Sequence, residues 1–200
     1  MDAQLGKVLD ALEKSGVADR TIIVFLSDHG YHLGEHTLWG KTSNFELDAR
    51  VPMMVHVPGS TQGGKRTEAL VELVDLFPTV IELCGLPTPP ALQGRSLATI
   101  LRDPSLTVKP AAFTQHPRPA YYDREPSKQP ATMGVSVRTA AVRYTEWRDW
   151  QTGKTVAREL YAAADEPAET RSVLDDPRLA AAQREAEQLL RAQFPPQPHP

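Results

Sequence analysis

The chain has 200 residues, 40% of them hydrophobic, with 22 basic against 25 acidic side chains and a formal net charge of −3. That apolar content can supply a core, which excludes a disordered chain, and the lack of any basic excess argues against nucleic acid or an anionic membrane surface as a partner. No apolar run approaches the roughly 18 residues a spanning helix needs, and the single cysteine, Cys84, excludes an internal disulfide.

In chain order, apolar residues at helical spacing predict an amphipathic helix over residues 2–14, stopped at Gly16. It carries mixed charge, so it is no signal peptide. It also lacks a preceding cap, as though the chain began mid-domain. The run TIIVFL, residues 21–26, is β-branched and apolar on both faces, which suits a central strand of a parallel sheet covered by helices. A second buried strand is expected over residues 51–59, closed by Pro58 and Gly59. Residues 69–85 read as helix, broken or restarted at Pro78, with Asp75 placed to begin the second piece. Helix, strand, strand and helix together predict an α/β layered domain.

Eighteen prolines, many of them between Pro87 and Pro130, mark a change of texture. A boundary near Thr107 divides the chain into residues 1–107, part of an α/β domain, and residues 108–200, a small α+β unit. Residues 109–130 read as proline-punctuated loop. Beyond them, residues 134–150 alternate like paired strands, residues 156–163 like a third, and residues 177–194 form a terminal helix. A short antiparallel sheet with one helix is the expected result, with Cys84 a small core residue of the helix over 69–85.

The chemistry concentrates in residues 22–41, IIVFLSDHGYHLGEHTLWGK. In open α/β sheets ligands sit beyond the carboxyl ends of the strands, where Ser27, Asp28 and His29 fall. Asp28 offers a hard oxygen and His29 a nitrogen, so the two could hold a divalent cation; read alone, they could also be a turn cap and a solvated loop residue. Gly30 and Gly34 permit tight turns, Glu35 and His36 are further ligand or outer candidates, and Lys41 brings a cation to the loop. A lysine beside a carboxylate-held metal makes sense if both neutralise an anionic substrate.

The pattern S-D-H-G-x-x-L-G-E-H-x-x-W-x-K over residues 27–41, S-N-F over 43–45 and R-V-P-M-M-V-H-V-P-G over 50–59 resembles the second half of a type I sulfatase of the alkaline phosphatase superfamily. The helix over 69–85 and Q-G-R-S-L, residues 93–97, fit the same pattern. QHPRP at 115–119, MGVSVRT at 133–139 and VRYTEW at 142–147 are similar to the carboxyl-terminal subdomain of iduronate-2-sulfatase-like members.

The resemblance implies part of a parallel-sheet α/β/α catalytic domain followed by the small unit, and metal-dependent hydrolysis of a sulfate ester. It makes Asp28 and His29 ligands of one Ca²⁺ and Lys41 the catalytic cation on the sulfate and its bridging oxygen. His36 and Trp39 are candidate substrate contacts. Arg118 and Arg124 could pair with a uronate carboxylate, as guanidinium does in bidentate fashion. The family's formylglycine arises from C-x-P-x-R, whereas Cys84 stands in C-G-L-P-T. The paired Asp residues and the Lys and His of the sulfate pocket are also missing. The expectation is therefore that Met1 is a truncated or miscalled start, or that the gene is split and the missing half is a partner, and that the chain alone is inactive. A sulfated carbohydrate, iduronate 2-sulfate among them, or an aryl sulfate would be the substrate. A phosphodiesterase or phosphonate hydrolase of the same superfamily and a non-catalytic fragment are the alternatives. Members are generally exported or lysosomal.

Overall fold

A computed structural model describes the chain except for residues 121–124, 126–127, 164–168 and 198–200. The first helix, α1 (Asp2–Lys14), forms as its periodicity predicts, with Asp2 in the first turn and Lys14 in the last, the order the helix dipole favours. None of its residues is buried. Gly16 then takes φ +71°, a left-handed conformation that lets the chain leave the helix.

Strand β1 (Ile23–Leu26) carries two short elements at its carboxyl end, β2 (His32–Leu33) and β3 (Trp39–Gly40), which pair with each other. A single helical turn, α2 (Glu46–Ala49), leads into β4 (Met53–His56). Strand β1 pairs with β4 in antiparallel register, Ile23 opposite His56 and Leu26 opposite Met53. The strand expected to lie centrally in a parallel sheet thus has an antiparallel neighbour among the described residues. Parallel neighbours need a crossover of a dozen or more residues, usually a helix packed on the sheet, and the only α-helix between these strands is the four-residue α2.

Helix α3 is confined to Leu76–Leu83. Residues 69–72 form no helix, Glu72 being extended, and a 3₁₀ turn (Leu73–Asp75) precedes the helix, so the first half of the expected helix over 69–85 does not form. Pro78 explains this, because its ring would clash with the carbonyl of Val74 were the α-helix to extend upstream. The prolines' place is the first turn, and there Pro78 sits. Asp75 starts α3 as expected, its carboxylate accepting from the Glu72 N–H at 2.8 Å. Cys84 is exposed at the end of α3, not in a core. Gly85, at φ +66°, turns the chain away there, beyond the buried side formed by Pro78, Thr79 and Ile81.

After α4 (Ala98–Arg102) the chain builds a four-stranded antiparallel sheet in sequential order from β5 (Ala111–Arg118), β6 (Thr132–Thr139), β7 (Val142–Asp149) and β8 (Thr155–Ala162), then ends in α5 (Ala180–Gln193). Strand β5 lies where loop was expected over 109–130. Its Pro117 is tolerated because β5 is an edge strand, with one side free of ladder bonds. One face of the sheet carries Met133, Val135, Val137, Tyr144 and Leu160, all buried, against Ala186 and Leu190 of α5. Each such side chain contributes about 1.5–3 kcal/mol by leaving water. The opposite face is polar, with Ser136, Arg138, Arg143 and Thr145, and lies over residues 44–46.

Two buried polar clusters join the sheet to the preceding residues. Lys109 Nζ lies 2.6 Å from Glu72 and 2.7 Å from Asp75, and Glu72 also accepts from the Phe113 N–H at 2.9 Å. In the second cluster Arg143 bridges Glu46 and Glu169, with Glu169 also accepting from the Glu46 N–H at 2.7 Å. The Q-G-R-S-L stretch serves the first cluster. A Cβ on Gly94 would lie 2.0 Å from the Val74 carbonyl oxygen, so only glycine lets Arg95 reach Asp75 with its N–H, at 2.8 Å.

Candidate metal and anion site

Strand β1 ends at Leu26, and the next residues turn over the end of the sheet. Ser27 stays tied to the neighbouring strand through its N–H to the Pro52 carbonyl at 3.2 Å, and its hydroxyl donates to the His29 carbonyl at 2.7 Å. Gly30 and Tyr31 then donate their N–H groups to Asp48 and Leu47 of α2, at 2.9 and 3.0 Å. That approach demands glycine, since a Cβ on Gly30 would meet the Leu47 oxygen at 1.7 Å.

His29 Nδ1 is 2.7 Å from the Gly30 carbonyl oxygen. A carbonyl only accepts, so Nδ1 carries the proton and Nε2 presents a lone pair. Lys41 Nζ lies 2.8 Å from that Nε2, and Asp28 Oδ2 lies 3.5 Å from it. The Asp28 side chain is largely open to water. Three residues expected from the pattern thus converge: a carboxylate, an imidazole lone pair and an ammonium.

The donor set is of the kind a hard divalent cation takes, and the carbonyl on Nδ1 is the outer partner that fixes a ligating histidine's tautomer. Two donors do not complete such a site. Among the described residues no group of three or more His, Cys, Asp or Glu stands ready to hold a metal. The Lys41 ammonium supplies positive charge where the two donors meet.

The remaining candidates are placed elsewhere. Glu35 accepts from the Leu33 N–H at 2.6 Å, and this bond with one from its own N–H holds its carboxyl below the usual range. The His36 ring stacks on Phe45, centroids 3.8 Å apart and 6° from parallel, and edges against His32 at 5.6 Å. Trp39 is 77% exposed on β3. Arg118 lies on β5 in the carboxyl-terminal sheet, its guanidinium 5.7 Å from the Trp147 ring centre. Arg124 lies outside the described residues.

Residues that sequence reasoning passed over hold the loop. His32 is fully buried, its Nε2 2.9 Å from Ser43 Oγ, and Ser43 donates to Asp48 Oδ2 at 2.6 Å. The residue types are those of a nucleophilic triad, but the geometry is not. The hydroxyl gives its proton to the carboxylate rather than to the imidazole, and the group is closed to substrate. No spacing rule signals it, because His32, Ser43 and Asp48 meet only through the fold of the loop.

Residues 1–86 match the family model described as Sulfatase. The chain is 35% identical to iduronate 2-sulfatase of Mus musculus over 88% of its own length and 42% of that protein. It is 29% identical to N-acetylglucosamine-6-O-sulfatase of Bacteroides thetaiotaomicron over 95% of its length and 33% of that protein. The chain therefore spans about two fifths or less of the length of these curated relatives. Among solved structures, a protein in complex with its substrate D-glucosamine-2-N,6-O-disulfate superposes with a TM-score of 0.81 at 28% identity, over 96% of this chain and 37% of that one. A phosphonate monoester hydrolase from Silicibacter pomeroyi superposes with a TM-score of 0.78 at 27% identity, over 99% of this chain and 39% of that one.

Proposed function

The chain belongs to the sulfatase family, and from that premise we propose that it forms part of a metal-dependent sulfuric ester hydrolase, with Asp28 and His29 as metal ligands and Lys41 as the cation on the transferring group. The observation that carries the reading is the meeting of the His29 Nε2 lone pair with Lys41 Nζ at 2.8 Å and Asp28 Oδ2 at 3.5 Å. A carboxylate and a neutral imidazole beside a lysine are matched to a metal and an anion held together, whereas a lysine alone would mark only an anion site.

The family works with a metal and a formylglycine; Ca²⁺ is the ion we assign here, since Asp28 offers hard oxygen. Bound there, a divalent cation would act as a Lewis acid on the sulfate oxygens. The chain's own residues do the rest. Gly30 holds the His29 tautomer that puts the lone pair on Nε2, Asp28 would offset the cation's charge, and Lys41, which in this structure occupies that lone pair at 2.8 Å, would yield it to the cation and donate instead to an oxygen of the sulfate group, stabilising the charge that builds as the ester bond breaks. Cys84, exposed at the end of α3 in C-G-L-P-T, is not the formylglycine precursor. With that nucleophile outside its residues, the chain alone is expected to be inactive.

A sulfated carbohydrate is the substrate class we favour, as relatives named for iduronate and N-acetylglucosamine sulfates and the disulfated glucosamine complex point the same way. The exposed Trp39 ring offers a face for a sugar, and Arg118, held over Trp147, offers a guanidinium for a uronate carboxylate. The similarity to a phosphonate monoester hydrolase supports one second reading, the same site acting on a phosphonate ester. Turnover of sulfated disaccharides against phosphonate monoesters, by a protein carrying this chain with the rest of the domain, separates them. Sulfate release with Ca²⁺ supports the first reading, and preference for the phosphonate overturns it.

A further inference from the structure

We propose that Asp48 is a positioning residue that sets the distance between His29 and Lys41, acting through Ser43. The inference rests on the reading of His29 and Lys41 as site residues, but its geometry is independent of the reaction. His29 and Lys41 are 12 positions apart, on opposite sides of the β2–β3 excursion, and their contact requires both arms to be anchored to one body. Asp48 is that body. Its main-chain oxygen accepts from the Gly30 N–H at 2.9 Å, fixing the His29 arm, and its carboxylate accepts from Ser43 Oγ at 2.6 Å, fixing the Lys41 arm.

The attachment is buried at Asp48, half-buried at Ser43, and reinforced on each side. Asp48 is 5% exposed, and His32 Nε2 stands 2.9 Å from the same hydroxyl and 3.5 Å from Asp48 Oδ2. The Ser43 hydroxyl has one proton, which goes to Asp48, so its lone pairs face His32 and the Phe45 N–H at 3.3 Å. Ser43 is thus held from three directions, two residues beyond Lys41. The single turn α2 that bears Asp48 is itself pinned, because Glu46 is gripped by Arg143 from β7 and gives its N–H to Glu169. A line of polar contacts, buried at Arg143, Glu46 and Asp48, therefore runs from the carboxyl-terminal sheet to the His29–Lys41 contact, with Asp48 at the point where the two arms divide.

A purely structural Asp48 would affect stability and leave the His29 ring untouched; a positioning Asp48 would change both. The test is nitrogen NMR of the full chain with ¹⁵N-labelled histidine, comparing wild type with Ser43→Ala, Ser43→Thr, Asp48→Ala and Asp48→Asn. The wild type is expected to show His29 protonated at Nδ1, with Nε2 shifted by its hydrogen bond from Lys41. Ser43→Ala and Asp48→Ala should move the Nε2 resonance toward that of Lys41→Ala and speed exchange of the Gly30 amide roughly tenfold or more. Ser43→Thr, which keeps the hydroxyl, should restore the wild-type resonance. An Nε2 resonance that stays at its wild-type position in the Ser43→Ala and Asp48→Ala chains would overturn the inference, whatever happens to their melting temperatures. Should Asp48→Ala fail to fold, Asp48→Asn keeps the shape and Ser43→Ala carries the same comparison. The readout needs no metal and no substrate, so its failure is distinct from absence of sulfate turnover.

Discussion

Lys41 Nζ and His29 Nε2 stand 2.8 Å apart, the lysine donating to a lone pair whose availability is set by the Gly30 carbonyl on the far side of the ring. The pair places the ammonium of an exposed lysine directly beside the proposed metal ligand. Removing a preorganised donor of this sort typically costs about 2.7–4 kcal/mol in the transition state, roughly a hundred- to a thousand-fold in rate. In a protein carrying this chain with the rest of the sulfatase domain, Lys41→Ala should lower kcat by that factor. Steady-state kinetics on a sulfate ester checks this, and unchanged turnover would refute the role.

Arg143 bridges Glu46 and Glu169, and all three are nine-tenths buried or more. Deleting the arginine leaves two carboxylates short of a partner in a dry setting, a change that typically costs about 3–5 kcal/mol. Arg143→Met should therefore shift the denaturant midpoint by a corresponding amount. Adding Glu46→Gln should recover part of the loss, and strict additivity of the two substitutions would show that the pair is not coupled.

Gly30 and Gly6 provide a controlled comparison. Alanine at Gly30 would place Cβ 1.7 Å from the Leu47 carbonyl oxygen, a backbone atom that cannot rotate aside. Alanine at Gly6, in α1, meets nothing within 4 Å. Gly30→Ala is expected to destabilise at or above the top of the range of about 1–3 kcal/mol seen for overpacking, whereas Gly6→Ala should stabilise by about 0.5–1 kcal/mol. Thermal melts of the two variants check both signs.

Glu146 is fully buried beneath α5. Burial opposes its ionisation, but hydrogen bonds and charge from Arg148, a hydrogen bond from Tyr144 and the charge of Arg191 outweigh it and hold its carboxyl below the ordinary value of 4.5. The unfolded chain therefore binds the proton more readily than the folded one. The stability from this group is present above pH 4.5 and is lost as pH falls through the lower folded value. Tyr144 and Tyr161 behave oppositely. Burial first, and then the charges of Glu146 and Glu159 respectively, raise both phenols above 10.0, so stability falls as pH rises past that value. Unfolding free energies measured across pH should decline at both ends, and Glu146→Gln should flatten the acid side.

Arg118 over Trp147 is expected to act on binding, not on chemistry. In the complete enzyme Arg118→Gln should raise KM for a uronate-containing sulfate several-fold and leave kcat near wild type, with little effect on a neutral sulfated sugar. An equal effect on both substrates would sever Arg118 from carboxylate recognition.

Much of the proposed site was legible in the sequence because its chemistry is local. Asp28 and His29 are adjacent, they follow an apolar run that ends as a strand, and Lys41 lies in the same loop. Periodicity likewise located α1 and α5, whose apolar residues recur at helical spacing. Elsewhere local pattern misled. The apolar spacing over residues 69–85 suggested helix throughout, yet Pro78 forbids the upstream half. The prolines around β5 suggested loop, yet an edge strand can accommodate Pro117. Cys84 fits an apolar pattern but falls where α3 ends and the chain turns away.

What the sequence by itself determined is the identity and order of the reactive groups, since a carboxylate, an imidazole and an amine keep their chemistry in any fold. Only the tertiary structure decided their relation. Which His29 nitrogen carries the lone pair depends on a carbonyl oxygen 2.7 Å away, and the Lys41 contact depends on Asp48 receiving both Gly30 and Ser43. The antiparallel pairing of β1 with β4 and the grip of Arg143 on Glu46, 97 positions apart, belong to the same class. Such contacts form because burying polar groups without partners is costly, so the fold must bring together donors and acceptors that no short stretch of sequence contains.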